Sequence, residues 1–187
     1  MTRETQSAAG SVTVEPVISG ADVDMFHRLY EDAFAPLRTR AAARQVLHRS
    51  EFEDQMSDPR VWKFVAWDEW GRPAGLTTLT RDLSTVGWIS PEYFAARYPK
   101  HAKRNAIYYW GFTLTRGDNR QKGQLAAMVS AVTEVVKADR GVCGYDICAF
   151  NNDVMALASR IEVIGHDLVT VAFEEIDRQT YYCATLS

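Results

Sequence analysis

The chain has 187 residues, of which 47% are hydrophobic, 11% aromatic and 24% charged, with a formal net charge of −3. These are the figures of a folded globular protein, and the length suits one domain with a sizeable core. No apolar run approaches the roughly 20 residues that span a bilayer, the first ten residues lack a signal peptide's apolar stretch, and the slight acidity argues against a nucleic-acid binder driven by bulk charge.

Residues 1–10 read as a flexible leader and residues 11–187 as one domain. Residues 12–17 alternate like a strand and are closed by Ser19-Gly20. From Asp22, Val23, Phe26, Leu29, Tyr30, Ala33 and Phe34 recur at helical spacing until Pro36. A second helix is predicted over residues 39–56, with Ala43, Val46, Leu47 and Phe52 on one side. Residues 61–67 and 73–82 read as strands joined by a hairpin turn at Asp68-Glu69-Trp70-Gly71. The pattern then breaks over an insertion at 83–104, with a short helix predicted at 91–97. Residues 106–115 form an aromatic-rich strand, and 123–138 an amphipathic helix with Leu125, Met128, Val129, Val132 and Val136 along one side. A strand at 142–150, a helix at 152–163 and two closing strands at 167–173 and 180–186 complete the order β-α-α-β-β-β-α-β-α-β-β. The strand-helix-strand crossover from 106–115 to 142–150 implies one parallel pair in an otherwise mostly antiparallel sheet.

The stretch from Thr113 to Leu125 carries the clearest chemistry. A strand ends, a glycine-bearing turn follows, and a helix opens with Arg116, Arg120 and Lys122 at its mouth. A helix N-terminus has unpaired N–H groups and a positive dipole end, so such a turn suits a phosphate or pyrophosphate. A solvated basic turn is the plainer alternative. Neither GxxxxGK[ST] nor GxGxxG is present, which excludes a Walker A loop and a dinucleotide fingerprint.

Arg120-Gln121-Lys122-Gly123-Gln124-Leu125 resembles the [RQ]-x-x-G-x-[GA] motif of the GNAT superfamily of acyl-CoA-dependent N-acyltransferases, departing from it at Leu125. The order of elements is similar to that family along nearly the whole chain. The resemblance implies a single α/β domain with a mixed sheet of about seven strands flanked by helices. It also implies acetyl-CoA or another acyl-CoA as co-substrate, no metal, and transfer of the acyl group to a small-molecule amine. Leu114, Thr115, Arg116, Arg120, Gln121, Lys122, Gly123, Gln124 and Leu125 would then hold coenzyme A. Gly111 matches the place of the family's bulge, whose backbone N–H polarises the thioester carbonyl, or simply makes room for a neighbouring Trp. Asn152 matches the asparagine that contacts the pantetheine arm, or is only a helix N-cap. Ser159 stands where the family has a tyrosine that protonates the leaving thiolate, and a serine hydroxyl is a far weaker acid.

For the proton-accepting group, Asp146 interrupts an apolar run and is the candidate general base, with a structural partner to an Arg or a backbone N–H as the plainer role. Tyr108 and Tyr109 point to opposite faces, so one of them, taken as Tyr109, faces the cleft. The four histidines have no metal-ligand spacing. Cys143, Cys148 and Cys183 form no CxxC pair, which argues against disulfides or a zinc ribbon and for a reducing cytoplasm. Trp88, Tyr93, Phe94 and Tyr98 make the insertion unusually aromatic, as a substrate lid or a packing surface. Between Arg97 and Lys122 lie seven Lys/Arg against one acid, Asp118. That patch suits coenzyme A, or equally the acidic surface of an acyl carrier protein presenting the same phosphopantetheine arm. A non-catalytic acyl-CoA-binding regulator and a homodimer are both left open by the sequence.

Overall fold

The computed structural model describes residues 5–7, 10–116 and 123–186. Six strands form one sheet in sequence order: β1 (Thr5–Ser7), β2 (Gly10–Glu15), β3 (Val61–Trp67), β4 (Pro73–Thr80), β5 (Ile107–Thr115) and β6 (Val142–Gly144). All neighbours pair antiparallel except β5 and β6, which pair in parallel from Ile107 opposite Val142 to Tyr109 opposite Gly144. The mixed sheet and its single parallel crossover are as the sequence predicts. Among the described residues the strand count is six, the first only three residues long and inside the expected leader, rather than about seven.

Helices α5 (Gln124–Ala138) and α6 (Leu157–Leu168) cover one face, over a core of Phe64, Leu79, Tyr108, Trp110, Met128 and Val132. Helices α1 (Ala21–Phe34) and α2 (Arg49–Ser57) cover the other, where Phe26, Tyr30, Phe52, Val65, Leu76 and Leu114 pack. The insertion, with helices α3 (Pro91–Arg97) and α4 (Pro99–Ala102), packs Leu83, Val86 and Phe94 onto Ile107 and Tyr109. Each fully buried side chain of this size contributes about 1.5–3 kcal/mol.

The expected elements differ in four places, and the helix expected over 152–163 runs instead from Leu157 to Leu168. The helix expected over 39–56 begins only at Arg49. The Tyr30 hydroxyl accepts the Leu47 N–H at 2.9 Å, engaging a backbone group that a longer helix would use, and His48 and Glu51 form a capping box that starts α2. The strand expected over 142–150 stops at Gly144. Tyr145 and Ile147 pack under α5 and α6 as side chains without a ladder, and a π-helical turn (Phe150–Val154) follows. Residues 169–186 carry no regular secondary structure, so neither closing strand forms. Side chains tie this segment down instead: Phe173 lies 5.4 Å from the His166 ring, and Ile176 joins the core beneath the insertion. No helix among the described residues is long and apolar enough to cross a membrane.

Candidate active site

β5 carries one more residue than β4 across from it. Thr77 opposes Thr113, whereas Leu79 opposes Trp110, so Gly111 and Phe112 together face Thr78. This is a bulge. It reverses the alternation of side chains, so Phe112 and Leu114 join the core under α1 and α2 although Tyr108 and Trp110 face α5. Thr77 pins it, since its hydroxyl donates to the Phe112 carbonyl at 3.0 Å and accepts from the Trp110 indole at 2.5 Å. A Cβ at Gly111 would overlap the Thr78 hydroxyl, so the glycine there makes room for Thr78 and not for a tryptophan.

Beyond Tyr109 the two parallel chains part, because β6 ends at Gly144 while β5 runs on to Thr115. Asp146 and Tyr109 meet at this fork. The Tyr109 hydroxyl donates to Asp146 Oδ1, and the Trp88 indole N–H donates to the same oxygen at 3.0 Å. Tyr109 is almost wholly buried, and that burial, reinforced by the Asp146 charge, pushes its hydroxyl far above the ordinary phenol range. It therefore stays protonated and acts as a hydrogen-bond donor to an exposed carboxylate.

Of the residues expected at the phosphates, Arg120, Gln121 and Lys122 lie outside the described residues. Gly123 caps α5 at φ 118°, a left-handed conformation that side chains rarely adopt. Gln124 is buried, and its Oε1 has no hydrogen-bond partner among the described residues. Leu114 is buried in the α1–α2 core, Thr115 is exposed at the strand end, and Leu125, in the first turn of α5, packs against the core on the other face. Arg116 is engaged by the β3–β4 turn. Its guanidinium donates to the Pro73 carbonyl at 2.5 Å and lies 3.6 Å from the buried Asp68 carboxylate.

Among the described residues, neither Asn152 nor Ser159 hydrogen-bonds to Tyr109 or Asp146. Asn152 sits in the π-helical turn rather than opening a helix, with its amide 3.3 Å from Asp153. Ser159 is exposed in the first turn of α6, whose packed residues belong to the core on the face opposite Tyr109. The sequence drew attention to Trp88 as an aromatic of the insertion but not as a partner of Asp146, which lies 58 positions away. The cations read as one patch are split. Arg104 donates to the Asp139 and Arg140 carbonyls at the C-terminus of α5, and Arg97 pairs with Glu174 at 3.2 Å. Among the described residues, no group of His, Cys, Asp or Glu is placed to hold a metal ion. Cys143, Cys148 and Cys183 are free thiols.

The sheet order, the parallel β5–β6 pair, the bulge and the fork define a GNAT-like fold. Solved structures agree with it. Aminoglycoside 6'-N-acetyltransferase AAC(6')-Ih from Acinetobacter baumannii aligns at TM-score 0.53 and 11% identity, over 94% of this chain and 99% of that one. AAC(6')-Ib, solved with coenzyme A and kanamycin, aligns at 0.54 and 16% over 82% of each chain. A GNAT-family acetyltransferase from Listeria monocytogenes aligns at 0.52 and 12%, over 85% of this chain and 90% of that one. No protein-family model and no curated protein matches the sequence.

Proposed function

We propose that the protein is an N-acyltransferase that moves an acetyl or other acyl group from coenzyme A to a primary amine. The observation that carries this reading is the fork between β5 and β6, with a carboxylate and a protonated phenol at its apex. The fold is shared with AAC(6')-Ib, which was solved with coenzyme A and kanamycin, and this supports a thioester donor and an amine acceptor. The pantetheine arm would lie along the free edge of β5 past Tyr109. Its phosphates would sit at the α5 N-terminus, where Gly123 turns the backbone and the first helical N–H groups, unpaired within the helix, are free to donate.

In the reaction, the amine nitrogen attacks the thioester carbonyl carbon and forms the new C–N bond. Asp146 takes the proton that the nitrogen sheds, while Tyr109 and Trp88 hold the carboxylate in place. A backbone N–H at the Gly111–Phe112 bulge stabilises the charge that develops on the carbonyl oxygen. The C–S bond then breaks, and the thiolate takes its proton from water. A thiol with a pKa of about 8.5 leaves readily as the thiolate, so no acid is required at Ser159.

Calorimetry with acetyl-CoA and thiol release with a panel of amines test this reading. Asp146→Asn should keep the acetyl-CoA affinity and lower kcat by about a hundredfold or more, the scale of a general base. Unchanged kcat would remove Asp146 from the chemistry. Acetyl-CoA binding with no thiol release from any amine would identify a thioester-binding regulator instead.

A further inference from the structure

Trp88 is more than half exposed, with 54% of its surface open to solvent, yet it is fixed at both ends. Its indole N–H is anchored on Asp146 Oδ1, and its ring meets the Tyr109 ring edge-on at 6.4 Å. The segment that carries it is braced as well. Phe94 fills the space left by the missing side chain of Gly144, and the Tyr93 hydroxyl donates to the Ile176 carbonyl at 2.9 Å. The Tyr98 hydroxyl donates to Glu174, also at 2.9 Å. An exposed indole on a flexible loop would pay in ordering entropy for any contact it made, and this one is already ordered.

The two carboxylate oxygens of Asp146 are unequal. Oδ1 receives both donors, whereas Oδ2 has none among the described residues. An open ring face beside an open carboxylate oxygen is a pair of attractions for one kind of group, a cation bearing N–H donors. Elsewhere, guanidinium groups already occupy such faces: Arg81 lies over Trp62 and Tyr108, and Arg97 over Tyr98. Among the described residues no cation lies over Trp88.

We propose that Trp88 and Asp146 Oδ2 form the acceptor site for a primary ammonium group, with the indole face against the cation and the indole N–H keeping Asp146 in position. The inference rests on the acyltransferase reading only for what happens to the amine afterwards, when the bound ammonium gives one proton to water and the neutral amine then attacks. Polyamines and amino sugars both carry such a group, so spermidine and glucosamine serve as the two probes. Binding is read without any acyl donor, as the tryptophan emission that either amine changes in the wild type and not in Trp88→Phe.

With acetyl-CoA present, Trp88→Ala should raise the amine KM about tenfold, within the range of a cation–π contact, and lower kcat as well. Trp88→Phe keeps a ring face and loses the N–H, so its KM should stay within about threefold while kcat falls. Such a split separates cation binding from placement of the base. Acetyl-CoA affinity should be the same in all three proteins, and thermal melts identify any variant that has lost its fold, in which case Trp88→Phe carries the test. If neither amine alters Trp88 emission, or if Trp88→Ala has wild-type KM and kcat, the acceptor site is elsewhere. Failure of acetyl-CoA to bind would overturn the donor reading and leave the emission test standing.

Discussion

Lys63 shows how one buried side chain can dictate a pH response. It lies on β3 with no exposed surface, and its ammonium donates to the Pro16 carbonyl at 2.9 Å and the Asp58 carbonyl at 2.7 Å. Burial lowers its pKa to about 8, against the opposing pull of the nearby Asp58 carboxylate. In the unfolded chain the group titrates at its ordinary value near 10.5, so between about pH 8 and pH 10.5 the unfolded state binds more protons. Stability from this group therefore rises with pH through that window, by about 3 kcal/mol at most, and is flat below it. Urea melts of the wild type and Lys63→Met across pH 7–10.5 should show the rise only in the wild type. Parallel curves would mean that Lys63 is as solvated in the fold as outside it. The sequence placed a lysine in a strand but gave no sign that it is buried, because its carbonyl partners come from residues 16 and 58. Asp146 was legible for the opposite reason, since a carboxylate in an apolar run stands out locally.

At the scale of elements, the bulge in β5 sets the site, and it depends on one close approach. Gly111 faces Thr78, a buried residue of β4, and the space for a side chain there is taken by the Thr78 hydroxyl. Gly111→Ala should cost about 1–3 kcal/mol through overpacking. In a Thr78→Ala background the clash is gone, and the same substitution should cost less by at least about 1 kcal/mol, a coupling that urea melts of the four proteins measure. Additive costs would show that Gly111 is needed for its backbone and not for the contact. The glycine in an aromatic strand was a visible signal of a bulge, and the elements up to residue 138 were mostly legible from periodicity. The last quarter was not. Strand pairing depends on partners far away in sequence, and residues 145–149 and 169–186 have strand-like composition without a ladder to join. The helix expected over 39–56 failed on a tertiary contact, the Tyr30 hydroxyl on Leu47, and the His48–Glu51 capping box was the local signal that could have corrected it.

At the scale of the whole molecule, the basic stretch read as one patch lies at two ends of the sheet. Lys100 and Lys103 precede the start of β5, whereas Gly123 follows its end, and the nine residues between Ile107 and Thr115 span about 30 Å. That distance is about four Debye lengths at physiological salt, so charges at one end hardly act at the other. Arg104 at the near end is engaged with the α5 carbonyls, and Arg116 at the far end with Asp68, so each is committed to the fold. The cations and the strand over 106–115 that separates them were both legible in the sequence; the partners of Arg104 and Arg116, which lie far away in the chain, were not. The double variant Lys100→Glu/Lys103→Glu should therefore change kcat/KM for acetyl-CoA by less than about twofold at physiological salt. Lys122→Glu, one position before Gly123, should lower it several-fold, with the loss shrinking as salt is added. Equal losses from the two variants would mean that the cations at both ends serve the donor, and would revive a carrier protein docked along the rim.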